Sequence, residues 1–252
     1  MKIIIVSATD FEVAQAKQKI KSTKNVETKF VVTGVGMLAT AVNLTKIIYE
    51  EQPNFIIQVG IAGCFDSNIE LGKVVLIEQE FLGDLGVAEN NKWKDIFDLK
   101  LIQSNTKPFT KKALINKNIQ QFNTTNLQVI NAVTVNQITT EPNHIKQLIK
   151  KYNPTIESME GAALHYVCNS FNIPYLQIRS ISNYIGERDK TKWKMKLAID
   201  NLAPTLKGVI ENLSIINRNS NPSVSIFLLT KASKIKVSLG QGEKAREYIY
   251  DF

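Results

Sequence analysis

Six short apolar runs recur along the chain. They are KIIIVSA (2–8), FVVTGVG (30–36), FIIQVGIAG (55–63), KVVLIEQEF (73–81), LQVINAVTV (127–135) and PYLQIRSIS (174–182). Their β-branched content predicts buried strands. Between and after them lie stretches with helical spacing: about Leu38 to Tyr49, then 144–152, 161–171 and 193–213. In the last, Met195, Ile199, Leu202, Leu206, Ile210 and Leu213 share one face. Pro204 is expected to bend or break that helix. The alternation predicts an α/β fold: a single wound, mostly parallel (mixed) β-sheet flanked by helices. Ligands of such sheets sit beyond the carboxyl ends of the strands. That rule singles out Ser7 to Glu12, Gly34 to Met37, Gly60 to Cys64, Val133 to Gln137 and Ser182 to Gly186. Residues 1–216 read as one domain without internal repeats. NRNSNPS (217–223) has the composition of a linker. The stretch to residue 252 reads as two short strands and a helical end, an extension with no assigned role.

Bulk properties exclude several partners. The net charge of +8 invites a nucleic-acid reading. The lysines are scattered, however, and the longest runs are pairs such as Lys111-Lys112 and Lys150-Lys151. No nucleic-acid partner is expected. The first apolar run, Ile3 to Val6 plus Ala8, is too short for a signal-peptide core, and no window approaches a membrane span. A cytoplasmic protein without a membrane partner is expected. Cys64 and Cys168 lack ligand spacing and read as reduced, buried thiols. With only His144 and His165 besides, neither a metal nor a cofactor is expected.

Several residues admit two readings. Gly34-x-Gly36-x-x-Ala39 matches a dinucleotide fingerprint, but it follows the second strand, and FIIQVG ends without the acidic residue that would hold a ribose. Together with the GIAG turn (60–63), it is better read as room for a small ligand beside backbone N–H groups. Glu12 completes a Thr9-x-x-Glu12 capping box, and it is equally a carboxylate poised as a general base at a strand end. Glu160 in ESMEGAALHYV (157–167) suits the first turn of a helix, or accepts two hydrogen bonds from a vicinal diol. Met159 suits the core or the face of a sugar. Asn183 is a poor strand residue. Its amide offers one acceptor and two donors, which suits a turn or the edge of a heterocyclic base. His165 reads as a packing or interface residue, and Arg188 with Asp189 as a surface ion pair.

These pieces in this order resemble the nucleoside phosphorylase and nucleosidase superfamily. The pattern is an early Glu after the first strand, a strand-end GxG, GIAG, GKVV opening a strand, MEG opening a helix and SxSN closing a strand. Within it, DLGV (84–87), VTVNQIT (133–139), SMEGAALHYV and IRSISNYIGERDKTKW are similar to the futalosine hydrolase branch of the alternative menaquinone pathway. The resemblance spans about residues 1 to 213. Two departures stand out: Cys64, and Thr139 or Thr140, occupy places where the family usually has Gly.

The resemblance implies hydrolysis of an N-glycosidic bond through an oxocarbenium-like sugar. It implies Glu12 as the base that activates water, and Glu160 as the grip on the 2′ and 3′ hydroxyls, with Met159 beneath the ring. Asn183 would stabilise the departing purine. Ala62, Gly63, Val135, Ser158 and Ser182 would contact the substrate, and Arg188 its carboxylate. Related adenine-releasing nucleosidases carry Asp where Asn183 stands. An amide donates and accepts without acting as an acid, which suits the mixed edge of a 6-oxopurine such as the hypoxanthine of futalosine. The rivals are a methylthioadenosine/S-adenosylhomocysteine nucleosidase and a purine nucleoside phosphorylase. Neither VVTGVGM nor VGIAGCF holds an Arg or Lys for phosphate. Relatives are usually homo-oligomers, so at least a dimer is expected.

Overall fold

The computed structural model describes residues 1–90, 92–219, 235–239 and 246–250. Its first strand, β1 (Lys2–Ser7), buries Ile3, Ile4, Ile5 and Val6 completely. A strand with no polar face needs cover on both sides. Ile3 and Ile5 join one apolar cluster with α1 (Asp10–Lys19) and α6 (Met195–Asn219). Ile4 and Val6 join another with α2 (Met37–Glu51) and α5 (Gly161–Phe171).

The sheet is mixed, and its middle closes on itself. β2 (Glu27–Val32) and β3 (Phe55–Cys64) flank β1 in parallel. β3 pairs in parallel with β10 (Tyr175–Tyr184) and antiparallel with β9 (Ile156–Ser158). β10 runs antiparallel to β4 (Val74–Leu82), β4 parallel to β8 (Gln128–Thr134), and β8 parallel to β9. β3, β10, β4, β8 and β9 therefore form a ring. All five contribute to the apolar cluster of Ala62, Cys64, Val75, Ile77, Ile130, Ala132, Ile156 and Ile181, which fills the inside. Register shifts at Ile77/Gln79 and Ile181/Asn183 supply the bends that closure needs.

Short elements carry little periodicity, and the sequence reading did not separate them. They include the hairpin of β5 (Gly86–Glu89) with β6 (Lys92–Asp95), β7 (Leu114–Ile115) on β4, α3 (Ile119–Phe122) and β9. α4 (Pro142–Tyr152) opens on its proline, where a missing N–H costs nothing. β11 (Ile235–Leu239) and β12 (Arg246–Tyr250) pair antiparallel, so residues 246–250 are strand and not the helical end expected there. Residues 217–219 of the expected linker belong instead to α6, and residues 220–223 lie outside the described residues. Among the described residues, no helix is long and apolar enough to cross a membrane.

α6 corrects a second expectation, because it runs unbroken through Pro204. That proline sits on the exposed side of the helix. The opposite side buries Ala198, Leu202, Leu206 and Val209 against the sheet, each at most 2 % exposed. Burial of three large side chains alone is worth roughly 5 to 8 kcal/mol, against about 3 kcal/mol for an internal proline. Pro204→Ala should restore the missing helical hydrogen bond. It should raise stability by about 2 kcal/mol in urea denaturation; no gain would mean that the helix already accommodates the ring without loss.

Candidate active site

The carboxyl ends of β1, β3 and β10 meet around one buried cation. Arg179 on β10 is 1 % exposed. Its in-register partner on β3 is Gly60. A Cβ there would lie 2.3 Å from Arg179 Nη1 and 2.7 Å from Glu12 Oε1, so only glycine admits both groups. Arg179 Nη2 donates to Gln58 Oε1 at 2.9 Å and to Glu160 Oε2 at 3.4 Å, while Nη1 reaches the Ile61 carbonyl at 3.4 Å. The sequence reading gave Arg179 no role and expected no cation beside the glycine turns. The structure corrects this, since pairing of β10 with β3 brings the guanidinium from a strand more than a hundred residues away.

Glu12 and Glu160 stand on either side of that cation. Glu12 does form the capping box, accepting from Thr9 N at 3.0 Å and Thr9 Oγ1 at 3.1 Å through Oε2. Its other oxygen accepts from Ile61 N at 3.1 Å and faces Gly60. Both readings of Glu12 are thus compatible: the cap fixes the rotamer that aims Oε1 at the strand end. Glu160 is the N-cap residue of α5, yet its side chain does not cap that helix. Oε1 instead accepts from Gly36 N at 3.1 Å. The glycine-rich entry to α2, with Gly34 and Gly36 at φ 87° and 89°, therefore holds the chain's own carboxylate. Glu12 Oε1 and both oxygens of Glu160 each accept one bond and keep a lone pair for a further donor. Met159, one residue earlier, is half-buried.

Asn183 marks the other end of the site. Ser182 Oγ lies 2.8 Å from Asn183 Oδ1 and 3.2 Å from the Ala62 carbonyl, and shares its one hydrogen between them. Asn183 Nδ2 donates to the Tyr184 carbonyl at 3.2 Å and keeps a second hydrogen. It points over Gly63, its partner in the β3–β10 ladder. Val135 is buried and its N–H donates to the Ser158 carbonyl at 3.0 Å; Ser158 Oγ accepts from Gly161 N at 3.4 Å. Ala62, Gly63, Val135, Ser158, Met159, Glu160, Ser182 and Asn183 thus fall on the adjoining ends of β3, β8, β9 and β10. Arg188 does not join them. It is exposed, with its guanidinium 5.6 Å from the Trp193 ring, and Asp189 caps the turn at Thr191 instead of pairing with it. Cys64 faces the apolar interior of the ring, away from Asn183.

A family model described as the Phosphorylase superfamily matches residues 2–212. The chain belongs to that superfamily. It is 24 % identical over 180 residues to the futalosine hydrolase of Thermus thermophilus, covering 71 % of this chain and 79 % of that one. It is also 24 % identical over 243 residues to the 5′-methylthioadenosine/S-adenosylhomocysteine nucleosidase of Tolumonas auensis, covering 84 % and 100 %. Among solved structures, the nucleosidase of that type from Colwellia psychrerythraea, in complex with adenine, superposes with a TM-score of 0.69 at 19 % identity, covering 84 % of this chain and 96 % of that one. The native futalosine hydrolase of Helicobacter pylori superposes with a TM-score of 0.64 at 14 % identity, covering 86 % and 98 %.

Beneath this superfamily site lies a fully buried polar layer that the sequence did not reveal. Glu80 on β4 accepts from Gln177 Nε2 at 2.8 Å and from Thr134 Oγ1 at 2.9 Å. Thr134 Oγ1 in turn accepts from Ala162 N at 2.8 Å, in the first turn of α5. A Cβ on Gly161 would lie 1.9 Å from Glu80 Oε1, which explains glycine after Met159-Glu160. His165 packs edge-on to Tyr175, and its Nδ1–H donates to the Leu114 carbonyl at 3.0 Å. Burial depresses its pKa to about 4, so it stays neutral, as a packing histidine should.

Burial also pushes the Glu80 carboxyl up to about 7, against the pull of Gln177, Thr134 and Arg179. Its ordinary value is 4.5, so between the two the folded chain holds the proton that the unfolded chain has lost. The resulting stabilisation is complete below the ordinary value and disappears as pH rises through 7. Its size is about 3 kcal/mol. Glu80→Gln removes the titration. Between pH 6 and 8.5 the wild-type Tm should fall by several degrees more than that of the variant; parallel curves would show that Glu80 is not the group responsible.

Proposed function

We propose that the protein is a nucleosidase that hydrolyses the N-glycosidic bond of futalosine, releasing hypoxanthine and dehypoxanthine futalosine in the alternative menaquinone route. The observation that carries this reading is the asymmetry of the site. Two carboxylates gather around Arg179 at one end, and a neutral amide, oriented by Ser182, stands at the other. In the proposed reaction, water adds to C1′ as the C1′–N9 bond breaks. Glu12 takes the proton of the water. Glu160 holds the ribose hydroxyls and stabilises positive charge on the sugar, with Met159 against the ring. The electron pair of the broken bond leaves with the purine, and Asn183 Nδ2 donates to the base at N7. Ala62, Gly63, Val135, Ser158 and Ser182 shape the pocket around it. Arg188, exposed four residues after the end of β10, is proposed to meet the substrate carboxylate.

Charge supports water over phosphate as the nucleophile. Arg179 is the cation at the glycine turn, and Gln58, Glu160 and the Ile61 carbonyl already engage it. Two carboxylates around one guanidinium leave a net negative centre, which repels a phosphate dianion. The second reading, a methylthioadenosine/S-adenosylhomocysteine nucleosidase, is favoured by the relative from Tolumonas auensis and its match along the full length of that protein. Asn183 separates the two readings. An amide cannot protonate an adenine leaving group, whereas it complements a 6-oxopurine.

Base release followed by chromatography tests the assignment. Glu12→Gln should lower kcat on futalosine at least about a hundredfold while leaving hypoxanthine affinity within about threefold. Near-normal turnover would remove Glu12 from the mechanism. Asn183→Asp should shift the ratio of kcat/KM towards adenine nucleosides, and an unchanged ratio would place base choice elsewhere.

A further inference from the structure

One buried carboxylate beside this site has no task in the mechanism above. Glu157 lies on β9, three residues before Glu160, and is 5 % exposed. Thr139 N donates to its Oε1 at 3.0 Å. Its Oε2 is buried without a hydrogen-bond partner, and so is the hydroxyl of Thr139. Among the described residues, no Lys or Arg forms an ion pair with it. Burial raises its pKa, with Thr139 opposing and Asp84 adding to the rise. A buried carboxylate oxygen left open is costly, because charge removed from water needs a donor.

The strand register shows where that oxygen belongs. Gly63 pairs with Asn183 on one side and with Glu157 on the other. Paired residues in register project to the same face of a sheet. Asn183, Gly63 and Glu157 therefore form one row, in which the glycine itself adds no side chain to the middle. At the usual spacing between strands, the outer two Cα atoms are about 10 Å apart. The nearest atoms over Gly63 are Asn183 Nδ2 and the tip of Ile185, a terminal methyl that a χ rotation moves. A planar bicyclic base, gripped at both edges, fits that span.

We infer that Glu157 is a specificity-determining residue that accepts the N1–H of a 6-oxopurine, while Asn183 holds the opposite edge of the same base. The inference rests on the reading of the substrate as a hypoxanthine nucleoside. Hypoxanthine brings the donor at N1 that Oε2 lacks, and its O6 accepts from the open hydroxyl of Thr139. Adenine presents a lone pair at N1, which faces the carboxylate oxygen unfavourably. Base choice is then set by two residues on two strands, each matched to one edge.

Calorimetric titration of free bases tests this without relying on turnover. The probes are hypoxanthine, 1-methylhypoxanthine and adenine, added to the wild type and to Glu157→Gln, with thermal denaturation reporting that the variant is folded. The wild type should bind hypoxanthine at least about tenfold tighter than either competitor. In Glu157→Gln the preference for hypoxanthine over its 1-methyl form should shrink to about threefold or less. An unchanged preference in the variant would mean that the methyl group is rejected by crowding alone and would overturn the role of Glu157. Release of hypoxanthine from futalosine by the wild type would leave the functional reading standing in that case. Tighter binding of adenine than hypoxanthine by the wild type would overturn both.

Discussion

Everything at the strand ends is arranged around the burial of one guanidinium. A charge taken from water as completely as that of Arg179 must find partners, or the fold loses several kcal/mol. It finds Gln58, the Ile61 carbonyl and Glu160, and it can do so only because Gly60 has no side chain. Glu160 is then pulled off its own helix and onto the Gly36 amide. That contact ties the entry to α2 to the start of α5. The GIAG turn, the strand-end GxG and the Met-Glu-Gly step are therefore parts of a single electrostatic unit, spread over residues 34 to 179.

The layer below keeps that unit in place. Glu80, Thr134 and Gln177 fix the first turn of α5 from inside, through the Ala162 amide and the close approach of Gly161. The position of Glu160 thus depends on a carboxyl group that burial keeps near neutrality. At the Asn183 end, the constraint is lighter. Asn183 follows a register shift, and its amide is oriented by one serine hydroxyl. The Glu160 end of the site is over-determined, whereas the Asn183 end is set by few contacts.

Features that depend on local pattern were legible in the sequence. The long β-branched runs gave the strands, and Thr9-x-x-Glu12 gave the capping box that the structure forms. The order of motifs gave the superfamily. Features that depend on pairing between distant strands were not legible. Nothing near Gly60 in the chain announces Arg179, because their contact exists only through the β3–β10 register. β9, with three residues, is too short to display a period, so nothing in the local pattern singles out Glu157. Pro204 failed as a helix breaker because the apolar face opposite it outweighs one lost hydrogen bond. Arg188 and Asp189 looked like a pair by adjacency, yet side chains of neighbouring residues diverge, and each found a different partner.

The central claim is that a net negative pocket closed by a neutral amide cleaves a hypoxanthine nucleoside with water. The most direct measurement is a competition. Equal concentrations of futalosine and methylthioadenosine are incubated with the purified protein in phosphate-free buffer, and the released bases are separated by chromatography. Hypoxanthine should appear at least about a hundredfold faster than adenine, with no acceleration when phosphate is added. Adenine as the dominant product, or release that requires phosphate, would contradict the claim.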